Sequence, residues 1–160
     1  MLYYNGKKYA DARAVLQKVA ALKEHKLRPN VEYYLGWVAL GEKELAVAAQ
    51  QFGVVADNFP KHELAGDCRL QQGAMLLDVE NFADAQKALE KFIADYTKHE
   101  KIDQATYQLG FSQMKQDQWL AALANFAKVT AESDWRDDAL YQSAWCQKGS
   151  GKSQNAVPHY

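Results

Sequence analysis

The stretch most similar to a known chemical motif is Gly149–Ser153, which reads Gly-Ser-Gly-Lys-Ser. A Gly-Lys-Ser ending is typical of loops that hold nucleotide phosphates, because backbone N–H groups cradle the phosphates and the lysine contacts them. That motif also needs a glycine where this chain has Cys146, and a strand before the loop. The stretch therefore predicts a turn between two helices rather than a nucleotide site.

Three of the four histidines could bind a metal by residue type, but their spacing argues against it. His25, His62 and His99 are 37 residues apart, and each lies beside a lysine. Zinc ligands must lie about 2 Å from one ion, whereas equivalent positions of stacked helix pairs are on the order of 10 Å or more apart. The spacing favours equivalent loops of a repeat; a pH-sensitive ridge of histidines is the alternative.

Cys68 and Cys146 form no redox motif that the sequence can identify. They lie two repeats apart on predicted helices, too far for a disulfide, so we expect thiols that are buried as small apolar side chains. No Ser-His-Asp, Cys-His or paired-carboxylate arrangement can be assigned. The sequence therefore predicts a protein that is not an enzyme and that uses neither a metal nor a cofactor.

Composition limits the class of partner. The 160 residues are 48% hydrophobic and 24% charged, as in a folded domain, and the net charge is −1. This balance does not favour nucleic acid, and no apolar run is long enough for direct membrane insertion. The first residues, Met1–Lys8, lack the apolar core of a signal peptide, so we expect any signal peptide to lie outside this chain.

The elements that position these residues repeat along the chain. Gly36, Gly73 and Gly110 are 37 residues apart, and three further columns of residues follow nearly the same period. Such a period predicts stacked helix pairs, because one pair cannot bury both of its faces, with the small residues where helices cross. The further columns are Ala12, Ala48, Ala85, Ala122 and Ala156; Leu16, Phe52, Leu89 and Phe126; and Val19, Val55, Phe92 and Val129.

Two stretches carry the fullest version of this pattern: Leu35-Gly36, Ala48, Phe52 and Pro60, and later Leu109-Gly110, Ala122 and Phe126. The pattern resembles the tetratricopeptide repeat, which joins a Leu-Gly pair in its first helix to Ala and Phe in its second helix and a closing Pro. The repeat between them is weaker, with Gln72 for Leu and Leu89 for Phe. The resemblance covers essentially the whole chain. It implies an all-α fold, a right-handed superhelical stack of antiparallel helix pairs.

We expect a single array over residues 1–160, with a partial repeat at 1–28, full repeats at about 29–64, 65–101 and 102–136, and a partial repeat at 137–160. Because the chain opens and closes inside repeats, it is expected to be a fragment of a longer array. A helix is predicted to begin at Asp137 and a further one near Ser153. The other predicted helices are Lys8–Ala20, Val31–Leu40, Leu45–Asn58, Leu64–Asp78, Phe82–Tyr96, Lys101–Lys115 and Trp119–Glu132.

The resemblance also implies a binding surface. In this family a concave groove is lined by first-helix residues, including the positions three before and one after the glycine of the pattern. These positions are mostly aromatic here, so they either line a groove that grips a bound segment or pack inside the array. The candidate peptide-binding residues are Tyr33, Trp37, Leu70, Tyr107, Phe111, Tyr141 and Trp145.

The favoured function is a non-catalytic scaffold that binds another protein or peptide, Pro-rich or helical, on the concave first-helix face. The Lys and Asn that some family members use to clamp a terminal carboxylate do not occur in these columns. Two alternatives are a module that self-associates through its repeat ends and the regulatory domain of a larger enzyme. The long period and the loop Asn58–Lys61 resemble bacterial cell-envelope members, such as Tol-Pal coordination proteins and outer-membrane assembly lipoproteins, which implies a periplasmic or envelope location.

Overall fold

The computed structural model describes residues 8–21 and 26–151. Within these ranges every regular element is an α-helix, which confirms the all-α prediction. The helices of this part of the chain are α1 (Tyr9–Ala20), α2 (Arg28–Gly41), α3 (Leu45–Asn58), α4 (Ala65–Asp78), α5 (Phe82–Asp95), α6 (Ile102–Met114), α7 (Trp119–Phe126) and α8 (Arg136–Gly149).

The helices divide into two compact units, Met1–Val79 with α1 to α4 and Glu80–Tyr160 with α5 to α8. In the first unit α2 packs on both α1 and α3, and α3 packs on α4. In the second unit α6 packs on both α5 and α7, and α7 packs on α8. Within each unit the helices therefore bury their apolar faces against their neighbours in the sequence, as the repeat pattern predicts.

In the first unit, the contact between α2 and α3 is centred on Phe52. Its side chain is fully buried among alanines and Val55, and Tyr33 and Trp37 of α2 pack against the same cluster. Burial of a phenylalanine of this kind contributes about 1.5–3 kcal/mol. A Cβ atom added to Gly36 would lie 2.8 Å from Cε1 of Phe52, so only glycine lets the two helices approach this closely.

The second unit repeats the same contact between α6 and α7. Phe126 is buried, and a Cβ atom added to Gly110 would lie 2.7 Å from its Cε1 atom. Ala122, one turn before Phe126, is also fully buried. The prediction that glycine and alanine stand where the paired helices cross is confirmed for these two repeats.

The turns between first and second helices also repeat. After α6, the N–H of Gln118 donates to the carbonyl of Gln113 at 2.9 Å, and the N–H of Asp117 donates to the carbonyl of Met114 at 3.1 Å. These two bonds define a Schellman motif, which ends a helix on a residue with positive φ. The turn predicted within Gly149–Ser153 has the same conformation at its glycine. The residues with positive φ are Lys43 (63°), Glu80 (59°), Asp117 (58°) and Gly151 (75°).

The loops that lead into α4, α6 and α8 share a second kind of turn. In each loop a histidine or serine side chain accepts a hydrogen bond of 3.2 Å from the backbone N–H two residues later. This confirms that His62 and His99 occupy equivalent loops, whereas His25 lies outside the described residues. The acceptor and donor pairs are His62 and Leu64, His99 and Lys101, and Ser133 and Trp135.

Most helix bounds agree with the prediction within a few residues, but the predicted end of α7 at Glu132 is wrong. The helix stops at Phe126, and the N–H of Val129 bonds to the carbonyl of Phe126 only three residues back. The guanidinium of Arg136 then donates to the carbonyl of Val129 at 2.9 Å, and so satisfies the acceptor that a longer helix would have used. As a result α8 begins 34 residues after α6 instead of 37. The helix predicted near Ser153 lies outside the described residues.

Candidate peptide-binding surface

In the first unit, the candidate residues Tyr33 and Trp37 lie on α2, the first helix of its repeat, and contact the core. The ring centroids of Trp37 and Tyr33 lie 5.5 Å and 6.2 Å from that of Phe52, both in edge-to-face geometry. The indole Nε1 of Trp37 is buried and has no hydrogen-bond partner. These two side chains are half-buried, so they serve the packing of α2 on α3 and expose only part of their surface.

Leu70 of α4 is the most buried of the candidate residues. Only 1% of its surface is exposed. A side chain that is enclosed in this way packs the interior, and it offers a ligand no surface without a rearrangement of its neighbours.

In the second unit, Tyr107 of α6 contacts α7, the residue just before α8, and α8 itself. Its ring lies 5.7 Å from that of Phe126 and 5.1 Å from that of Trp135, measured between centroids. Burial raises the pKa of the Tyr107 phenol, and the charge of Asp138 adds to this effect, while a hydrogen bond with Gln142 of α8 opposes it. Tyr107 therefore holds α8 against α6 and contributes little open surface.

The next candidate pair, on α8, has a different environment. Tyr141 and Trp145 lie 34 residues after Tyr107 and Phe111, and their rings pack edge to face with centroids 6.3 Å apart. Tyr141 is 55% exposed and Trp145 is 49% exposed. They are therefore the candidate residues that present most aromatic surface to a ligand.

Phe111, Tyr141 and Trp145 border one open cleft, which we call the α6–α8 cleft. Its volume is about 670 Å³, and its walls are mainly apolar. Gly149 ends α8 so close to the ring of Trp119 that an added Cβ would lie 3.1 Å from the ring atoms. The lining residues are Phe111, Met114, Lys115, Trp119, Tyr141, Gln142, Trp145, Lys148 and Gly149.

The residues predicted for the site include three of these nine lining residues, Phe111, Tyr141 and Trp145, and omit the other six. Trp119 begins the second helix of its repeat, whereas the predicted site residues all lie on first helices. A signal was available, because Lys115 follows Phe111 by four positions and Lys148 follows Trp145 by three, so each lysine lies on the same helix face as an aromatic ring. The omitted residues are Met114, Lys115, Trp119, Gln142, Lys148 and Gly149.

The described residues include neither a metal-binding cluster nor an activated thiol. They contain no cluster of three or more His, Cys, Asp or Glu side chains that could hold a metal ion. Both thiols are free and buried, and burial raises the pKa of Cys68 to about 12 and that of Cys146 to about 11, so neither is an activated nucleophile. In the same part of the chain no helix is long and apolar enough to cross a membrane.

Residues 25–147 match the sequence profile of the YfiO family, which is described as outer membrane lipoprotein. The chain belongs to the YfiO family. The match covers most of the described helices, from the residues just before α2 to the last turn of α8. No curated protein sequence matches the chain.

Solved structures show that this YfiO-family chain has a tetratricopeptide-like fold. MamA from Desulfovibrio magneticus RS-1 has a TM-score of 0.67 and 18% identity, over 94% of this chain and 90% of MamA. The nearly identical TPR-like repeats of a kinesin light chain-like protein of Podosopora anserina have a TM-score of 0.70 and 16% identity, over 93% and 82%. The Rap conjugation gene regulator of plasmid pLS20, in complex with the Phr* peptide, has a TM-score of 0.58 and 17% identity, over 92% of this chain and 44% of Rap.

Proposed function

We propose that this chain is a non-catalytic scaffold that binds a peptide or protein segment on the first-helix face of its repeats, and that the α6–α8 cleft is the principal contact of the unit Glu80–Tyr160. The observation that carries this proposal is the exposure of Tyr141 and Trp145 at the edge of an apolar cleft of about 670 Å³. A pocket of this size and character suits part of a bound segment.

Equivalent first-helix residues of neighbouring repeats are buried to very different extents. Tyr107 covers its ring with Phe126 and Trp135, whereas Tyr141 and Trp145 keep about half of their surface open. Covering the open half of one such ring removes on the order of 100 Å² from water, which is about 2–3 kcal/mol. Two neighbouring rings of this kind are typical anchors for a partner.

The similar structures and the family match support a binding function in the cell envelope. The Rap structure contains a peptide, so one protein with this fold binds a peptide ligand. Membership in a family of outer membrane lipoproteins supports a location in the cell envelope. A partner segment that is helical or Pro-rich fits an open aromatic cleft, because an amphipathic helix presents one apolar face and a Pro-rich segment is already extended before it binds.

The test is a selection of peptides that depend on the cleft. A displayed random-peptide library is selected against the wild-type chain, and the dissociation constants of the selected peptides are measured by fluorescence anisotropy. We expect the double variant Tyr141→Ala, Trp145→Ala to lose at least about 10-fold in affinity, since two anchor side chains are truncated. The matched control is Leu120→Ala, which truncates an apolar side chain that is 64% exposed and does not line the cleft.

Circular dichroism of each variant must show retained helicity, because Tyr141 and Trp145 are exposed and their loss should not unfold α8. If the selected peptides bind the double variant as well as the wild type, the α6–α8 cleft is not the binding site. A second copy of the chain is the competing occupant. Sedimentation over a concentration series should show a monomer, and a dimer that the double variant disrupts would favour self-association instead.

A further inference from the structure

Two lysines converge on the α6–α8 cleft. The Nζ atom of Lys115 lies 5.3 Å from the centroid of the Phe111 ring, and the Nζ atom of Lys148 lies 5.1 Å from that of Trp145. Each ammonium group thus rests over an aromatic wall of the cleft, where an attraction between the cation and the ring holds it.

Among the described residues, neither lysine has an acidic partner. Two other cations of the described helices have a carboxylate partner: Lys87 bonds to Asp84 at 2.8 Å, and Arg69 bonds to Asp57. Within the described residues no carboxylate lies within ion-pair distance of Lys115 or Lys148. None of the residues that line the cleft is acidic. The cleft is therefore an apolar surface with positive charge on both of its long walls.

This charge pattern selects among partners. A ring contact uses one side of an ammonium group and leaves its other N–H donors free for a carboxylate. A segment with acidic groups beside an apolar anchor would pair both lysines, whereas a basic segment would place like charges against them. Because the walls are apolar, such pairs are less screened than pairs on an open surface.

From this geometry, and resting on the function proposed above, we infer that the natural occupant of the α6–α8 cleft is an acidic segment of another protein. An apolar side chain of that segment lies between Phe111, Trp119 and Trp145. Carboxylates on either side of it accept hydrogen bonds from Lys115 and Lys148. The carboxylates are supplied by Asp or Glu side chains or by the end of the partner chain.

A structural role for the lysines predicts different results. Lys115 caps the end of α6, and Lys148 lies in the last turn of α8. A cation at a helix C-terminus is stabilised by the helix dipole and needs no partner protein. Replacing both lysines would then lower the melting temperature and leave the affinity for any peptide unchanged.

The experiment uses the full chain and synthetic peptides that share one apolar core and differ only in the flanking residues, which are Glu, Gln or Lys. A fourth peptide has the Gln flanks and a free terminal carboxylate beside the core, while the other three are amidated. Binding is followed by fluorescence anisotropy at low and high salt. The variant is Lys115→Gln with Lys148→Gln, and the matched control is Lys98→Gln with Lys128→Gln, two exposed lysines of the same unit that do not line the cleft.

We expect the Glu peptide to bind at least about fivefold more tightly than the Gln peptide, and the Lys peptide to bind most weakly. The double variant should abolish the preference for Glu and leave the Gln peptide unchanged, and the control variant should keep the preference. Salt should weaken only the binding of the Glu peptide and the free-carboxylate peptide. A preference for the fourth peptide over the Gln peptide would identify the end of a chain as the carboxylate source.

Three results would overturn the inference. Equal affinity for the Glu, Gln and Lys peptides would show that charge does not select the partner, although the proposed function would survive. Failure of every peptide to bind would remove the function as well. A marked gain in affinity when the chain is shortened to end at Gly151 would show that residues 152–160 of this chain, rather than a partner, occupy the cleft.

Discussion

Gly110 and Phe126 are so close that one methyl group does not fit between them: a Cβ atom on Gly110 would lie 2.7 Å from Cε1 of Phe126. The same relationship holds 74 residues earlier, where a Cβ atom on Gly36 would lie 2.8 Å from Cε1 of Phe52. In both repeats the ring is buried and cannot swing aside. The glycine spacing in the sequence is therefore a direct record of where paired helices cross.

The first prediction concerns this contact. Gly110→Leu should lower the free energy of unfolding by more than about 2 kcal/mol, because overpacking a filled core costs about 1–3 kcal/mol. Urea denaturation followed by circular dichroism measures the change. The matched control is Gly53→Ala, whose new Cβ would meet the movable amide end of Gln72 and whose helix propensity improves, so we expect a smaller loss. An unchanged free energy of unfolding for Gly110→Leu would mean that the repeat register is wrong.

The repeat pattern could be predicted because each of its columns has one physical cause that recurs. Gly36 and Gly110 allow close approach, and Phe52 and Phe126 fill the space that results. The end of α7 could not be predicted, because it depends on a hydrogen bond between the Arg136 guanidinium and the Val129 carbonyl. No periodicity of apolar residues reports such a bond.

The candidate site was predicted less completely than the fold. The first-helix columns include Tyr141 and Trp145, which are open, but also Leu70, which is buried. Equivalent positions differ in exposure because their exposure depends on which neighbour follows, and a column of residue types does not contain that information. Trp119 joins the α6–α8 cleft from the second helix, outside the first-helix columns.

The second prediction concerns the turns with positive φ. Asp117 has a φ of 58°, a conformation that costs a side-chain-bearing residue about 1 kcal/mol relative to glycine. Asp117→Gly should therefore raise the free energy of unfolding by about 0.5–1 kcal/mol, and removal of a negative charge from the end of α6 acts in the same direction. The converse variant, Gly151→Ala, should lower the free energy of unfolding. An added Cβ would meet nothing within 4 Å, so only the backbone conformation is penalised. If Asp117→Gly and Gly151→Ala change stability in the same direction, the conformational explanation fails.

The third prediction concerns the loop before α4. The Nδ1 atom of His62 accepts a hydrogen bond from the backbone N–H of Leu64 at 3.2 Å. His62→Leu removes the acceptor and should cost about 1 kcal/mol in denaturant unfolding. His62→Ser should cost less, because Ser133 makes the same bond in the loop before α8. Equal losses for the leucine and serine variants would show that the ring, and not the hydrogen bond, stabilises this loop.

The last prediction concerns the two thiols and alkaline pH. Burial raises the pKa of Cys68 from 9.0 to about 12 and that of Cys146 to about 11, so the fold keeps both thiols protonated where the unfolded chain releases their protons. The folded state then binds more protons than the unfolded state above pH 9, and the stability present below that pH is lost as the pH rises toward 12. The slope is at most about 1.4 kcal/mol per pH unit for each thiol.

Two measurements check this linkage. A thiol-specific chromogenic reagent at pH 8 should label neither cysteine of the folded chain and should label both in denaturant, since both side chains are fully buried. Stability measured at intervals between pH 9 and 12 should fall less steeply for Cys68→Ala than for the wild type, whatever the absolute stability of the variant, because one of the two buried thiols that must stay protonated is gone. Rapid labelling of the folded chain, or parallel slopes for the two proteins, would contradict the burial of the Cys68 thiol in solution.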